Sequence, residues 1–327
     1  MGGPILLDRC TLDDDYVPGS IQFRQQHVSD MLNYLSPVKS GKSAVNIYIH
    51  GPPGSGKTTT ARWVLKNHFN GLSAYLNCWN NPTQHKILQE LLKQLGFMIH
   101  GKESTSEMIS KFQNLQKRVI VCLDEFDGLK EKGILYLFVR NSYPLVLISD
   151  RPYSPFELDA KTRSGLVLHE MEFGRYEPDH IGEILKHRIE SGMNRNMISE
   201  ETVAEIARCC GGDARAAIQI LKNAAIHTEA NGHESITPDT VQNVSKNVRK
   251  FRLSYVIRRL NEHQKAIYEI LKEKKSMDSG TLFNEYKKAV NETVTDRSYR
   301  NYMTRMVELG LVREIGSSRW KKYEIAI

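Results

Sequence analysis

Short apolar runs alternate with helix-periodic segments through the first half of the chain. The apolar runs, rich in Val, Ile, Leu and Tyr, predict five buried strands at 45–50, 73–77, 119–124, 144–149 and 166–169. Between them, apolar residues recur every three or four positions, as in 58–67 and 86–95, which indicates helices. Strands that alternate with helices predict an α/β fold, with a parallel five-stranded sheet covered on both faces.

The pattern changes twice further along the chain. From residue 177 onward strands are absent, and four helices are predicted at 179–191, 199–210, 214–228 and 238–248. Beyond residue 250, three more helices (261–274, 279–290 and 296–309) precede two strands at 311–315 and 320–325. Gly316-Ser317-Ser318 supplies the turn between those strands. Three helices followed by a hairpin indicate a winged helix.

Composition narrows the class of protein. At 327 residues, 40% hydrophobic and 25% charged, the chain is typical of a globular protein with more than one domain. No run approaches the ~20 apolar residues that span a bilayer, and the start lacks the pattern of a signal peptide. Five cysteines without a Cys-x-x-Cys pair favour a reducing compartment, so we expect a cytoplasmic protein.

Charge is unevenly distributed between the two parts of the chain. Residues 1–249 hold 28 basic and 28 acidic side chains (28 − 28 = 0), whereas residues 250–327 hold 17 and 10 (17 − 10 = +7). A basic segment of this kind predicts a polyanionic partner, either nucleic acid or a membrane surface. A lysine-rich solvated helical surface is the alternative explanation.

A phosphate-binding motif follows the first predicted strand. Residues 51–58 read Gly-Pro-Pro-Gly-Ser-Gly-Lys-Thr and open a predicted helix, which is the context of a P-loop. The glycines let backbone N–H groups surround phosphates, Lys57 reaches the β- and γ-phosphates, and the Thr58 hydroxyl ligates Mg²⁺. The residues predicted to bind the nucleotide here are Pro53, Gly54, Ser55, Gly56, Lys57, Thr58 and Thr59.

Two carboxylates end the third predicted strand. Apolar residues 119–123 lead directly into Asp124 and Glu125. After a P-loop, this pattern predicts that Asp124 holds Mg²⁺ through water and that Glu125 polarises the attacking water. Taken alone, the pair would more often mark the start of a loop. Ser149 or Asp150, at the end of the next strand, would sense phosphate if that strand lies between the first and the third.

Arg215 is a further candidate for contact with phosphate. It follows Gly211-Gly212-Asp213-Ala214 and falls in the first turn of a predicted helix, where the helix dipole disfavours a cation without an anion nearby. A phosphate across a domain cleft would supply that anion. An ion pair with a surface carboxylate is the alternative.

The last predicted helix has two distinct faces. Tyr299, Tyr302, Met303, Met306 and Val307 form an apolar face that predicts core packing. The opposite face and the proposed wing carry the predicted DNA-binding residues Arg297, Arg300, Asn301, Thr304, Arg319, Lys321 and Lys322, with Trp320 in the wing. Basic and amide side chains in this arrangement suit entry into a major groove beside a backbone contact. A winged helix that docks protein is the alternative.

Together these motifs resemble the archaeal replication initiators, which are AAA+ ATPases akin to eukaryotic origin-recognition subunits and their helicase-loading relative. The stretch Tyr16-Val17-Pro18, with Arg24 six residues after the proline, resembles a segment that borders the adenine in that family. Residues from Asn77 to about 115 resemble its DNA-contacting insertion, and Tyr176 and Arg188 match lid positions that bind nucleotide there.

The resemblance implies an organisation and a function. It implies an AAA+ base domain at 1–174, a helical lid at 175–249 and a winged-helix DNA-binding domain at 250–327. The expected cofactors are ATP or ADP with Mg²⁺, and the expected enzyme is an ATP hydrolase of low turnover whose nucleotide state acts as a switch. The expected partners are double-stranded origin DNA, the replicative helicase and related initiator subunits, with no membrane, in the cytoplasm at the nucleoid.

Two positions depart from the family pattern. The family usually has Asn where this chain has Asp150, and a carboxylate that faces a phosphate is unfavourable. Its Asp-Pro-Arg-Val-Lys-Ser stretch appears as residues 159–164, Asp-Ala-Lys-Thr-Arg-Ser, where Arg163 or Lys161 would act in trans. Two rival functions stay open: a signal-transduction P-loop ATPase with a protein-docking winged helix, and a clamp-loader-like AAA+ subunit.

Overall fold

Five parallel strands form the main sheet of the computed structural model, in the order β2-β3-β4-β1-β5. The strands are β1 (Asn46–His50), β2 (Ser73–Asn77), β3 (Ile120–Asp124), β4 (Leu145–Ile148) and β5 (Leu168–Glu172). Because β4 lies between β1 and β3, the polar residues after β4 share the carboxyl edge of the sheet with the P-loop and Asp124. The predicted parallel α/β sheet is confirmed.

The structure describes residues 4–115, 117–154, 158–246, 257, 260–290, 293–316 and 321–326. The chain divides into two compact units, Met1–Val244 and Ser245–Ile327. The separate boundary predicted between base and lid, at 174/175, stays a prediction. No helix among the described residues is long and apolar enough to cross a membrane.

Helices cover both faces of the sheet and build one apolar core on each face. These helices are α1 (Gln25–Leu35), α2 (Lys57–His68), α3 (Gln84–Gln94), α4 (Thr105–Gln113), α5 (Ile134–Arg140) and α6 (Ala160–Gly165). Strand β3 is buried throughout, with Val121 and Leu123 in one core and Ile120 and Cys122 in the other. This alternation explains why the central strand has a continuous apolar sequence.

The fifth strand was predicted two to three residues too early, at 166–169. Strand β5 is an edge strand that pairs with β1, and most of its side chains are exposed. Glu170 and Glu172 are exposed while Met171, between them, is buried. The charged residues therefore belong to the strand, although they end the apolar run in the sequence.

Four helices follow the sheet: α7 (Pro178–Gly192), α8 (Glu200–Cys209), α9 (Ala214–Ala230) and α10 (238–246). Ser199 and Asp213 cap α8 and α9 by accepting the backbone N–H groups of Thr202 and Ala216. The chain's first described residues pack on this bundle, because Glu229 Oε1 accepts the N–H groups of both Ile5 and Leu6 at 2.9 Å.

The second unit has the winged-helix order of elements. These are α11 (Glu262–Lys274), β6 (Ser276–Asp278), α12 (Ser279–Ala289), α13 (Asp296–Glu308), β7 (Val312–Ile315) and β8 (Lys322–Ile325). The strands form an antiparallel sheet in the order β6-β8-β7. Strand β6 was not predicted, since it has only three residues and no buried one. The predicted apolar face of α13 is confirmed, with Tyr299, Met303 and Met306 buried in the core.

Candidate nucleotide and nucleic-acid sites

The P-loop lies between β1 and the first turn of α2, which begins at Lys57. Gly54 and Gly56 both have positive φ (73° and 91°), a backbone conformation that favours glycine. A Cβ at Gly54 would lie 1.9 Å from Asp213 Oδ1, and one at Gly56 would lie 2.3 Å from the Tyr176 hydroxyl. Glycine at these two positions therefore allows Asp213 and Tyr176 to approach the loop directly.

Lys57 is buried, and its ammonium group donates three hydrogen bonds. Its Nζ lies 2.6 Å from the Gly51 carbonyl oxygen, 3.0 Å from that of Pro52 and 3.0 Å from Asp150 Oδ1. The Asp150 carboxylate is therefore an internal anion paired with the lysine that was predicted to bind phosphate. The side chain of Asp150 is 32% exposed, compared with 8% for Lys57.

Asp124 is 3% exposed and accepts hydrogen bonds at both carboxylate oxygens. Its Oδ2 accepts from the Thr58 hydroxyl at 2.9 Å and from the Tyr75 hydroxyl, and its Oδ1 accepts the Glu125 backbone N–H at 2.8 Å. The structure thus brings together Thr58 and Asp124, the two predicted Mg²⁺ ligands. Glu125 adopts a positive φ of 53°, an unusual conformation for this residue type that redirects the chain as β3 ends.

Ser149 and Asp150 have different surroundings at the end of β4. The Ser149 hydroxyl donates to Asp127 Oδ2 at 2.6 Å, and the same carboxylate pairs with Arg151 at 3.1 Å. Asp150 faces Lys57 instead. Of the two candidates for contact with phosphate, Asp150 is the one beside the P-loop lysine.

The stretch that contains Tyr16, Val17 and Pro18 reaches the P-loop through Arg24. The Arg24 Nε donates to the Ser55 carbonyl oxygen at 3.1 Å. Its guanidinium also lies 4.2 Å from the centroid of the Tyr176 ring. Burial raises the pKa of Tyr176, so its hydroxyl stays neutral and able to donate.

Arg188, on helix α7, contacts the same N-terminal stretch at Tyr16. It is buried on α7, donates to the Thr11 carbonyl oxygen at 2.7 Å and stacks 4.4 Å from the Tyr16 ring centroid. Burial lowers the pKa of Arg188, as expected for a desolvated cation. The contact joins helix α7 to the stretch that was predicted to border the adenine, and a role of Arg188 toward nucleotide stays a prediction.

Arg215 occupies the first turn of α9, directly after a residue that contacts the P-loop. The Ala214 backbone N–H donates to the Gly54 carbonyl oxygen at 3.1 Å. Arg215 itself is exposed, and no hydrogen bond or ion pair joins it to another described residue. On α6, Lys161 and Arg163 are also exposed.

The polar face predicted on α13 is exposed, at Arg297, Arg300, Asn301 and Thr304. Arg300 pairs with Asp296 one turn earlier at 2.6 Å, and Lys321 pairs with Glu314 at 2.6 Å across the hairpin. Lys322 begins β8 and is exposed. The predicted wing residue Arg319, with Trp320, lies outside the described residues.

Known families match both parts of the first unit. The AAA domain family matches residues 40–149, and the Cdc6 AAA+ ATPase-type lid domain family matches residues 182–246. The chain is also 27% identical to ORC1-type DNA replication protein 9 of Halobacterium salinarum, over 98% of this chain and 94% of the relative. Over nearly its whole length, the chain is similar to the ORC1-type DNA replication proteins.

Two solved structures share the fold of this chain. The Aeropyrum pernix ORC1 protein in complex with DNA has a TM-score of 0.72 and 24% identity, covering 100% of this chain and 94% of that one. The Aeropyrum pernix ORC2 protein in ADPNP-ADP complexes also has a TM-score of 0.72, with 22% identity over 98% and 94% of the two chains. The resemblance stated from the sequence motifs is confirmed at the level of family and fold.

The sequence did not identify three polar residues of the candidate nucleotide site. Tyr75 contacts Asp124, Asp127 contacts Ser149, and Gln94 binds the backbone of Tyr75. Tyr75 alternates with buried Ala74 and Leu76 along β2, a pattern that looks like an ordinary edge strand. Asp127 had a weak signal, since it is the third acid within four residues after β3.

Proposed function

We propose that this chain is an ATP-dependent replication initiator that binds duplex DNA through its winged helix and switches conformation between its ATP and ADP states. The carrying observation is the exposed row of Arg297, Arg300, Asn301 and Thr304 on α13, in a chain whose other unit combines an AAA domain with a Cdc6-type lid. An exposed basic and amide row on a winged helix suits base-edge contacts in a major groove.

In the nucleotide site, Lys57 would exchange the Asp150 carboxylate for the β- and γ-phosphates. The P-loop backbone would donate its N–H groups to the same phosphates. Thr58 and Asp124 offer a hydroxyl and a carboxylate 2.9 Å apart, which are hard oxygen ligands of the kind that Mg²⁺ prefers. The ion would supply neutralisation of phosphate charge when bound with the nucleotide.

Hydrolysis, in this proposal, depends on Glu125. The residue follows directly on Asp124, and its backbone N–H is tied to that carboxylate. Its left-handed backbone turns the chain as β3 ends, at the carboxyl edge of the sheet where the P-loop also lies. There Glu125 would accept a proton from the attacking water.

The lid would report the nucleotide state to the rest of the protein. Ala214 hydrogen-bonds to Gly54, and Asp213 and Tyr176 approach the P-loop glycines. A movement of the P-loop would therefore change the position of these lid residues. Arg215, exposed beside this contact, would pair with phosphate. A trans-acting role for Arg163 or Lys161 would require a second initiator subunit.

We extend the proposal to binding partners on the basis of the sequence similarity to ORC1-type proteins. The partners would be origin DNA, related initiator subunits and the replicative helicase. Insertion residues between Asn77 and position 115 would add a second DNA contact. There Trp79 is 51% exposed and Met98 83% exposed, consistent with a surface that meets a partner.

We expect the Asp150→Asn substitution to raise the affinity for ATP by about three- to tenfold and to preserve or increase hydrolysis. Asparagine retains an oxygen that can accept from Lys57 but removes the charge that competes with phosphate, an effect of ~1 kcal/mol for a partly exposed pair. Titration of a fluorescent ATP analogue measures the affinity. Asp30→Asn on α1 is the control, since it removes the same charge elsewhere in this unit. Loss of hydrolysis in Asp150→Asn would instead show that the carboxylate has a positive role.

The DNA proposal is tested by two substitutions with different expected signatures. Arg300→Ala should narrow the difference in affinity between an origin duplex and a shuffled one, by roughly 1–3 kcal/mol if Arg300 contacts a guanine. Lys321→Ala should weaken both duplexes alike and reduce the salt dependence by about one unit. Both residues must first leave exposed ion pairs, which are worth only ~0–1 kcal/mol.

Fluorescence anisotropy at several salt concentrations measures both effects. Lys272→Ala on α11 is the matched control, because it removes a lysine whose partner is Glu269 rather than a residue of α13 or the hairpin. Equal binding by all three variants and the unchanged chain would argue for a winged helix that docks protein.

A further inference from the structure

The hydroxyl of Tyr75 lies beside Thr58 and Asp124, the two predicted Mg²⁺ ligands, although the sequence did not identify Tyr75 as a site residue. Tyr75 comes from β2, and its OH donates to Asp124 Oδ2, the same oxygen that accepts from the Thr58 hydroxyl. Two hydroxyl groups therefore donate to one carboxylate oxygen. The Tyr75 hydroxyl comes from the edge strand β2, and the Thr58 hydroxyl comes from the first turn of α2. The other oxygen is held by the Glu125 backbone N–H.

Tyr75 remains a donor under all ordinary conditions. A phenol keeps its proton near neutral pH, because its usual pKa is about 10. The Arg62 guanidinium lies 5.3 Å from the centroid of the Tyr75 ring. The Tyr75 hydroxyl therefore donates to Asp124 Oδ2 and restrains the orientation of that carboxylate.

The backbone of Tyr75 is also held on its open side. Strand β2 is at the edge of the sheet and pairs only with β3. The side-chain amide of Gln94, at the end of α3, takes the place of a further strand. Its Oε1 accepts the Tyr75 N–H at 2.9 Å, and its Nε2 donates to the Tyr75 carbonyl oxygen at 2.8 Å. Tyr75 is thus held by Gln94 at its backbone and by Asp124 at its hydroxyl.

We propose that Tyr75 is a positioning residue that holds Asp124 toward Thr58 and thereby sets the affinity of the nucleotide site for Mg²⁺. The inference rests on the proposed function, since it assumes that the site takes a nucleotide with its metal ion. The hydroxyl of Thr58 can donate its proton to Asp124 while its oxygen remains available to a cation. Tyr75 keeps the carboxylate in the orientation that permits this. Groups that orient metal ligands typically change metal affinity by ~10–100-fold when removed.

The test is the Tyr75→Phe substitution, which removes one oxygen and keeps the ring. A fluorescent ATP analogue is titrated in EDTA and again with increasing Mg²⁺. We expect affinity in EDTA to stay within about twofold, because the Tyr75 hydroxyl donates to Asp124 and no hydrogen bond within the described part of the chain joins it to the P-loop. The Mg²⁺ concentration that gives half of the metal-dependent gain should rise about tenfold. The same titration with Mn²⁺ should show a shift in the same direction.

Tyr143→Phe is the matched control. Tyr143 is another tyrosine of the first unit, and its hydroxyl donates to the Phe112 carbonyl oxygen at 3.4 Å in the core. We expect this variant to leave the Mg²⁺ dependence unchanged. A second variant, Gln94→Ala, leaves the Tyr75 hydroxyl in place but releases its backbone, and should shift the Mg²⁺ dependence by about threefold. It carries the test if Tyr75→Phe does not fold.

Each contrary result has a definite meaning. Unchanged Mg²⁺ dependence in a folded Tyr75→Phe variant overturns the positioning role and leaves the proposed function intact. An equal loss of affinity with and without Mg²⁺ also overturns it, because Tyr75 would then act on the nucleotide pocket as a whole. Failure of the unchanged chain to bind the analogue at all overturns the proposed function, and the role of Tyr75 with it.

Discussion

A Glu125→Gln variant is expected to bind ATP as tightly as the unchanged chain and to hydrolyse it at least about a hundredfold more slowly. General bases contribute ~10²–10⁴-fold to a rate, and glutamine has the size of glutamate but cannot take up the proton of the attacking water. Binding should survive because the phosphate contacts belong to the P-loop and Lys57. Single-turnover hydrolysis, with nucleotide affinity measured in parallel, separates the two effects.

The control for this prediction is Glu183→Gln. Glu183 lies on α7 and pairs only with a surface lysine, Lys186, at 2.9 Å. The same loss of charge there should leave both binding and hydrolysis unchanged. If Glu125→Gln hydrolyses ATP at the rate of the unchanged chain, Glu125 is not the base. Its left-handed backbone would then serve only to turn the chain after β3.

A chain truncated after Val248 is expected to lose duplex DNA affinity by about two orders of magnitude or more while it binds ATP normally. Residues 1–249 carry no net charge (28 − 28 = 0), whereas residues 250–327 carry the whole excess of +7. Nonspecific DNA affinity depends mainly on cationic contacts with phosphate. It should therefore be lost when the second unit is removed. The first unit has its own apolar cores, and every predicted nucleotide contact lies within it.

Anisotropy on labelled duplexes at several salt concentrations measures the loss. Binding of the ATP analogue by the same preparation shows that the shortened chain is folded. A truncated chain that retains full duplex affinity would move the DNA site into the first unit. The insertion between Asn77 and position 115 would then be the place to search.

The sequence alone predicted which neighbouring residues build the proposed nucleotide site. The P-loop glycines, Lys57 and Thr58 are adjacent in the chain, and their backbone geometry depends on residue type at fixed spacing. The carboxylates Asp124 and Glu125 follow an apolar run long enough to identify a buried central strand. The exposed and buried faces of α13 were likewise predictable, because a helix repeats every 3.6 residues and the core can take only one face.

Sequence patterns were less informative where a segment is short or lies at an edge. The bounds of strand β5 were predicted too early in the chain. Its alternating glutamates are typical of an exposed edge strand, which resembles a loop in composition. Strand β6, Ser276–Asp278, has no apolar pattern to detect. It exists because β8 supplies its hydrogen-bonding partner.

Only the tertiary structure decided which distant residues meet. Lys57 and Asp150 are 93 positions apart, and their ion pair exists because β4 lies beside β1 in the sheet. Tyr75 meets Asp124 across 49 positions, since β2 and β3 are neighbours and in register. Periodicity reports which face of an element is buried but not which elements are adjacent. Strand order is set by packing of the whole sheet, and it is strand order that brings Asp150 to the P-loop and Tyr75 to the carboxylate.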